Sequence, residues 1–253
     1  MSVQAFYDAF ATRYHLIYPD WDASIARQGN ALDSLLRECF PGQREILDVA
    51  MGIGTQALGL AALGYQVIGS DLSTAAVHRA RHEAAERGLT IPMYVADFRW
   101  VPARSAEHPL ILCGDNSLPH LATADAIRRT LQAWYRCIRP GGGCLISMRD
   151  YGDPPESGTM ETRQYGQRDW QGHPYYLQQV WTWHGARYDV ALEMTAVAEG
   201  PSLPTLHTSY LAISLAEVQG LLREAGFVEV RRFDDRLFQP VLVAYKEPVR
   251  HPA

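Results

Sequence analysis

Several short segments of the chain join small residues to carboxylates in a way that suits a nucleotide-like ligand. Asp48-Val-Ala50-Met-Gly52-Ile-Gly54 closes a short β-branched run. Small residues at 50, 52 and 54 let the backbone approach a ligand closely, and a helix beginning just after them offers unpaired N–H donors. Asp71-Leu72 ends a second apolar run, where a carboxylate can take the hydroxyls of a ribose. Asp97-Phe98 supplies a carboxylate for an exocyclic amine and a ring to lie beside an adenine. Asp115-Asn116-Ser117, with Pro119-His120 just beyond, forms a further polar cluster. Arg149 offers a planar fork for a carboxylate, and Asn116 and Tyr210 offer neutral polar groups able to align an amine. Gly52-Ile-Gly54-Thr-Gln-Ala57 also fits the GxGxxA dinucleotide fingerprint with Asp71 as its ribose acid, so the first two segments alone leave a nicotinamide dinucleotide open.

The elements that must position these residues alternate. Strand-like runs at 44–50, 65–69, 91–96, 109–113 and 144–148 are interleaved with helical spacing at 56–63, 74–87 and 125–138. Such alternation predicts βαβ units and a parallel sheet with helices on both faces, whose ligands sit at the carboxyl ends of the strands. Residues 23–39 have helical spacing ahead of the first strand, and Arg139 to Gly143 reads as a break before the fifth. Beyond 150 the pattern changes. Residues 175–184 and 188–197 alternate aromatic or apolar with polar residues around Gly185-Ala186-Arg187, which predicts a hairpin, with 205–213 as a third strand. Ser214 with Glu217 three residues on predicts a capping box opening a helix over 214–226. Strands at 227–233 and 241–245 finish the chain, and Arg231-Arg232 reads as a solvated turn. The expected fold is α/β: a Rossmann-like doubly wound sheet of about seven strands with an antiparallel β insertion over the site. The expected division is an N-terminal lid (1–43), a core (44–150), a β-rich substrate-covering insertion (151–212), and a helix and strands completing the sheet (213–253).

In combination, DVAMGIG from Asp48 to Gly54, the acid at Asp71, and IRPGGG ahead of the fifth strand resemble class I S-adenosylmethionine (SAM)-dependent methyltransferases. The resemblance covers 44–150. Within that class, LDVAMGIGT, DNSLPHL and SMRDY, in this order, are similar to the glycine/sarcosine N-methyltransferase group. The resemblance implies SAM as cofactor and S-adenosylhomocysteine (SAH) as product. In that group the Asn of the N-S-x-x-H-L segment lies beside the reacting amine and the Arg after the fifth strand binds the substrate carboxylate; these fall on Asn116 and Arg149. Tyrosines and an arginine of the N-terminal segment fall on Tyr7, Tyr18 and Arg27, and a tyrosine late in the insertion falls on Tyr210. The implied catalytic set is thus Asn116, Arg149, Tyr210 and Tyr18. The implied cofactor set is Tyr7, Arg27, Asp48, Ala50, Gly52, Gly54, Asp71, Leu72, Asp97, Phe98, Asp115 and Ser117. The chain departs from the group at Asp115, where a glycine is usual, and near Leu237-Phe238, where a tyrosine is usual.

Composition narrows the partners. Among 253 residues, 47% are hydrophobic and 20% charged, and the net charge is −5, which argues against a phosphate backbone as partner. Cys39, Cys113, Cys137 and Cys144 show no CxxC spacing and read as buried thiols of a reducing compartment. No signal peptide or membrane span is read, so the expected location is cytoplasmic. No metal-ligand spacing and no nucleophile elbow stand out, which suits a reaction whose reagent arrives activated. The expected activity is SAM-dependent methyl transfer to the amine of a small carboxylate-bearing molecule, glycine/sarcosine-like or otherwise amino-acid-like. O- or C-methylation, and more remotely an NAD(P)-dependent oxidoreductase or a non-catalytic SAM-binding protein, stay open, as does a homo-oligomer. Competing bland roles are a surface pair of Arg149 with Asp150 or Asp153, an ordinary helix face for Tyr7, Tyr14 and Tyr18, a structural His120, and hairpin packing for Trp170, Tyr175, Tyr176, Trp181 and Trp183.

Overall fold

A computed structural model describes residues 1–101 and 108–247. Strands β1 (Glu45–Asp48), β2 (Gln66–Asp71), β3 (Met93–Val95), β4 (His108–Cys113) and β5 (Ile138–Ser147) are parallel neighbours in the order β3-β2-β1-β4-β5. The sheet is completed by β11 (Val241–Tyr245), antiparallel to β5, and β10 (Glu229–Phe233) at the edge. Strand order reverses between β1 and β4, the place where open α/β sheets bind ligands.

β4 and β11 are near-continuous apolar runs because both of their faces are covered. Leu110 and Leu112 point into one apolar layer with helix α3 (Thr55–Ala62) and α4 (Thr74–Glu86); Ile111 and Cys113 point into the other, with α5 (Ala124–Cys137) and α6 (Leu215–Ala225). The helices start where a side-chain oxygen can satisfy a free N–H. Asp20 caps α2 (Trp21–Cys39), Ser73 caps α4 and Thr123 caps α5, at 2.9–3.1 Å. The capping box at Ser214 and Glu217 opens α6. All four cysteines are buried.

A second, antiparallel sheet has the order β6-β7-β8-β9, from β6 (Met160–Trp170), β7 (His173–His184), β8 (Arg187–Ala196) and β9 (Leu206–Leu211). Odd residues of β7 (Tyr175, Leu177, Trp181, Trp183) and even residues of β8 (Tyr188, Val190, Leu192, Met194) share its buried face. One end of that face joins the main core through Trp181, Trp183 and Tyr188. The other end packs on Phe6 and Phe10 of helix α1 (Val3–Phe10) and on Leu16. Helix α1 also docks on the core: Asp8 Oδ1 accepts from Ser73 Oγ at 2.6 Å and from Ala75 N at 3.0 Å.

The structure departs from the sequence expectation in four places. The second sheet has a fourth strand, β6, whose polar and mostly exposed run METRQYGQRDW, with an irregularity beside Gly166, hides an edge strand. Helix α1 precedes the expected first helix. Arg139 to Gly143 belongs to β5 rather than to a break, its irregular start marked by a register shift against β4. Arg231 and Arg232 lie on β10 rather than in a turn, and pair with Glu38 and with Asp150 and Asp234. Residues 248–253 of the expected C-terminal segment lie outside the described residues.

α2 and α3 cross backbone to backbone. A Cβ at Gly29 would lie 2.7 Å from the carbonyl carbon of Gly59, and one at Gly59 would lie 2.5 Å from the carbonyl oxygen of Ile25. Gly220, inside α6, has nothing within 4 Å of such a Cβ. The two sites should respond with opposite signs. Gly59→Ala should cost about 1–3 kcal/mol through overpacking, and Gly220→Ala should gain about 0.4–1 kcal/mol. Thermal melts of the two variants against the parent check this; equal shifts would contradict the close helix crossing.

Candidate active site

The turn after β1 is tied to its neighbours by the backbone: Val49 N donates to Leu112 O at 2.9 Å and Met51 N to Ser70 O at 3.0 Å. Asp71, ending β2, grips the same turn. Its Oδ2 accepts from Gly52 N at 2.9 Å and its Oδ1 from Ser73 N at 2.8 Å. Gly52 has φ +55°, and a Cβ there would come within 3.3 Å of the Tyr14 ring. Glycine therefore leaves both the turn and the space over it open. That space is a cavity of about 490 Å³ lined by Ala50, Gly52, Asp71, Leu72, Asp97, Phe98, Asp115 and Ser117, with Ser2, Val3 and Gln4 of the N-terminus across from them. Asp97 is held by Arg99, whose Nε donates to both oxygens at 2.9–3.0 Å; burial works against its charge, but that guanidinium keeps the carboxyl below its usual range.

Burial acts without such relief on Asp48 and Asp71. Asp48 is 1% exposed and, among the described residues, accepts only a long 3.3 Å bond from Ala50 N and leaves Oδ2 with no partner; desolvation pushes its carboxyl to about 8. Desolvation also raises Asp71, against the pull of its backbone donors, to about 6. Asp48 supports the turn from beneath and does not line the cavity. Gly54 likewise lies at the start of α3, facing Leu58 and Ala80.

A second cavity, of about 1010 Å³, opens beside the first between the core and the antiparallel sheet. Tyr18, Arg27, Arg149, Tyr210 and Asp115 line it. The Arg149 guanidinium lies over the Trp181 ring, 4.7 Å from its centroid, and among the described residues no carboxylate comes within 4 Å of it. Asp150, its sequence neighbour, pairs with Arg232 instead. Asn116 is 2% exposed and inside the wall. Its Oδ1 accepts from Arg149 N at 3.0 Å and its Nδ2 donates to Tyr151 OH at 3.0 Å, so its side chain fixes the turn that carries Arg149. Arg27 is exposed at the rim and donates to Ser24 Oγ at 2.8 Å. The antiparallel sheet contributes Glu161, Arg163 and Tyr165 from β6, a strand that the sequence pattern did not reveal, and Gln179 from β7, a polar position on an expected strand with nothing in its spacing to mark it. Arg163 lies 3.9 Å from the Trp181 centroid.

Tyr7, Tyr14 and Asp115 line both cavities. Tyr7 OH lies 2.8 Å from His120 Nε2, while His120 Nδ1 lies 3.3 Å from the Ser209 carbonyl. Because a carbonyl only accepts, Nδ1 carries the hydrogen and Nε2 accepts from Tyr7. Desolvation lowers His120 to about 4, so it stays neutral near pH 7 and works as a fixed acceptor. His120, Tyr210, Tyr188 and Trp181 then continue as an aromatic ladder, with centroid spacings of 4.1, 5.2 and 4.7 Å.

Residues 46–142 match the family model of a methyltransferase domain. That stretch of the chain is a methyltransferase domain. Over 237 residues the protein is 24% identical to the glycine/sarcosine N-methyltransferase of Parasynechococcus marenigrum, an alignment covering 92% of this chain and 79% of that one. Over 133 residues it is 28% identical to the enzyme of the same description from Halorhodospira halochloris, covering 52% of this chain and 49% of that one, about half of the relative's length. Its fold is that of the SAM-bound amino pentose methyltransferase CalS10 from Micromonospora echinaspora, with TM-score 0.77 at 16% identity, covering 94% and 96% of the two chains. The smaller cavity fits SAM: Asp71 retains lone pairs for ribose hydroxyls, Gly52 leaves room that a Cβ would take, and Phe98 supplies an aromatic wall.

The raised Asp48 carboxyl has a consequence for the methyltransferase domain's stability. Its folded value of about 8 lies above the unfolded value near 4, so the folded chain keeps a proton that the unfolded chain has lost. Stability from this group is full below about pH 4 and declines by up to about 1.4 kcal/mol per pH unit until about pH 8. Asp48→Asn mimics the neutral form. The variant's melting temperature should exceed that of the parent by a margin that widens from pH 5 to pH 8.5. A margin independent of pH would contradict the burial of this carboxyl.

Proposed function

We propose that the protein transfers the methyl group of SAM to the amine of a small molecule that bears a carboxylate or comparable anion and is bulkier than glycine. The observation that carries this reading is Arg149: a guanidinium in the wall of the larger cavity, stacked on Trp181, with no carboxylate within 4 Å among the described residues. A half-buried guanidinium of that kind is answered best by an anion able to take two parallel hydrogen bonds. The cavity's 1010 Å³ is at the upper end of the range for drug-sized ligands and far beyond what glycine fills. The named activity of the Parasynechococcus relative, glycine/sarcosine N-methylation, supports the reaction type.

SAM supplies a methyl group already activated on a sulfonium, so the protein's task is to position and to exclude water. In this reading Asp71 holds the ribose, Phe98 walls the adenine, and Asp97 faces its amine. Arg149 orients the acceptor by its anion, with Asn116 holding the Arg149 backbone in place. Tyr18 and Tyr210 flank the acceptor's amine, and α1 closes the cavities against solvent.

Arg149→Lys keeps the charge and loses the fork. Its kcat/KM should fall by about two to four orders of magnitude, since breaking a desolvated pair costs roughly 3–5 kcal/mol. A screen of amines and amino acids, read by SAH formation, identifies the acceptor on which to measure it. If the best acceptor lacks an anionic group, or Arg149→Lys keeps most of its kcat/KM, the anion-bearing assignment fails.

A further inference from the structure

Where the two cavities meet, the methyl group must leave one ligand and join the other. Among the described residues, the side chains lining both cavities are Tyr7, Tyr14 and Asp115, so Asp115 is the charged group at that junction. It is held there firmly. Asp115 and Asn116 both have left-handed backbones, φ +53° and +62°, an uncommon conformation for residues other than glycine. Two bonds from one residue of β5 fix the turn: Ser147 Oγ accepts from Asp115 N at 3.0 Å and Ser147 O accepts from Asn116 N at 3.0 Å. Strain that the surroundings over-determine in this way collects at functional sites.

The Asp115 carboxylate is under-satisfied. Oδ2 accepts from Tyr18 OH at 3.1 Å and the neutral Gln56 amide also eases the charge, while Oδ1 is shut off from solvent with no well-formed hydrogen bond among the described residues. Among the described residues no arginine, lysine or histidine nitrogen comes within 4 Å of it; Arg149 acts on it only from farther off. A buried carboxylate is costly unless something positive answers it. Tyr7 and Tyr14 set aromatic rings at the same junction, and ring faces attract cations as well. A carboxylate beside aromatic rings suits a positive centre and disfavours a neutral one.

We propose that Asp115 is the counter-charge of the SAM sulfonium, so that the site holds SAM more tightly than SAH and favours release of the spent cofactor. The proposal rests on the assignment of the smaller cavity to SAM. SAM and SAH share the adenosine, carboxylate and ammonium and differ in the methyl group and the charge on sulfur, so comparing them isolates the sulfonium. Calorimetric dissociation constants for SAM and SAH should be measured on the parent, on Asp115→Asn and on Asp115→Gly, the latter tolerating the left-handed backbone. The ratio of the SAH to the SAM dissociation constant should fall about tenfold in both variants, with SAH affinity changed less than about threefold. An unchanged ratio, whether both ligands hold or both weaken together, would overturn the proposal. A parent protein that binds neither ligand would instead overturn the assignment of the cavity.

Discussion

Asp48, Asp71 and Asp115 end on one edge of the sheet, at or just after the neighbouring strands β1, β2 and β4, and folding buries Asp48 and withdraws Asp71 and Asp115 from most of their contact with water. None takes part in an ion pair among the described residues, and burial raises each carboxyl. Much of the surrounding structure answers this constraint. Backbone N–H groups of Gly52 and Ser73 are spent on Asp71, Tyr18 gives its hydroxyl to Asp115, and Ser147 holds the strained turn that carries Asp115. The negative charge left over is what a cofactor with a positive sulfur and a pair of ribose hydroxyls can use. A carboxylate edge of this kind costs stability in the empty protein and returns it on binding, the usual trade at a preorganised site.

The second sheet and α1 act as one cover. Phe6, Phe10 and Leu16 pack into the same cluster as Tyr175, Leu177, Leu192, Met194 and Leu206, and Arg168 Nε donates to Leu16 O at 2.9 Å. Asp8 joins that cover to the start of α4. The ladder from His120 to Trp181 runs from the cofactor side to Arg149, so the group proposed to bind the acceptor and those bordering SAM are set by one stack of rings. Aromatic rings tolerate little sliding at such spacings, which makes the sheet a stiff wall.

Much of the smaller cavity's lining was legible in the sequence because its determinants are local. An apolar run ending in Asp71, or small residues at 50 and 52 before a helix, reports its own backbone geometry, and these residues do line the smaller cavity. Asp48 and Gly54 belong to the same motif yet support the turn from behind, a distinction that spacing alone does not carry. The acceptor side was less legible, for physical reasons. β6 is a polar edge strand whose partner on β7 supplies the register, so Glu161 and Arg163 gave no periodic signal. Asn116 sits in a motif that reads as substrate-facing, but its left-handed backbone and its bonds to Arg149 N and Tyr151 turn the side chain into the wall. The place of Asp115 at the junction depends on how two cavities meet, and no stretch of sequence encodes that.

The central claim is that the smaller cavity holds SAM with Asp71 on its ribose. Thermal melts with SAM or with NAD, on the parent and on Asp71→Ala, test it most directly. At about a hundred times its dissociation constant, SAM should stabilise the parent by about 2.7 kcal/mol, and so raise the melting temperature by roughly 5–10 °C. NAD at the same concentration should leave it unchanged. Asp71→Ala should need a higher SAM concentration for the same shift, matching a loss of about 1.5–3 kcal/mol in affinity. A parent stabilised by NAD and not by SAM, or a folded Asp71→Ala with undiminished SAM response, would contradict the account.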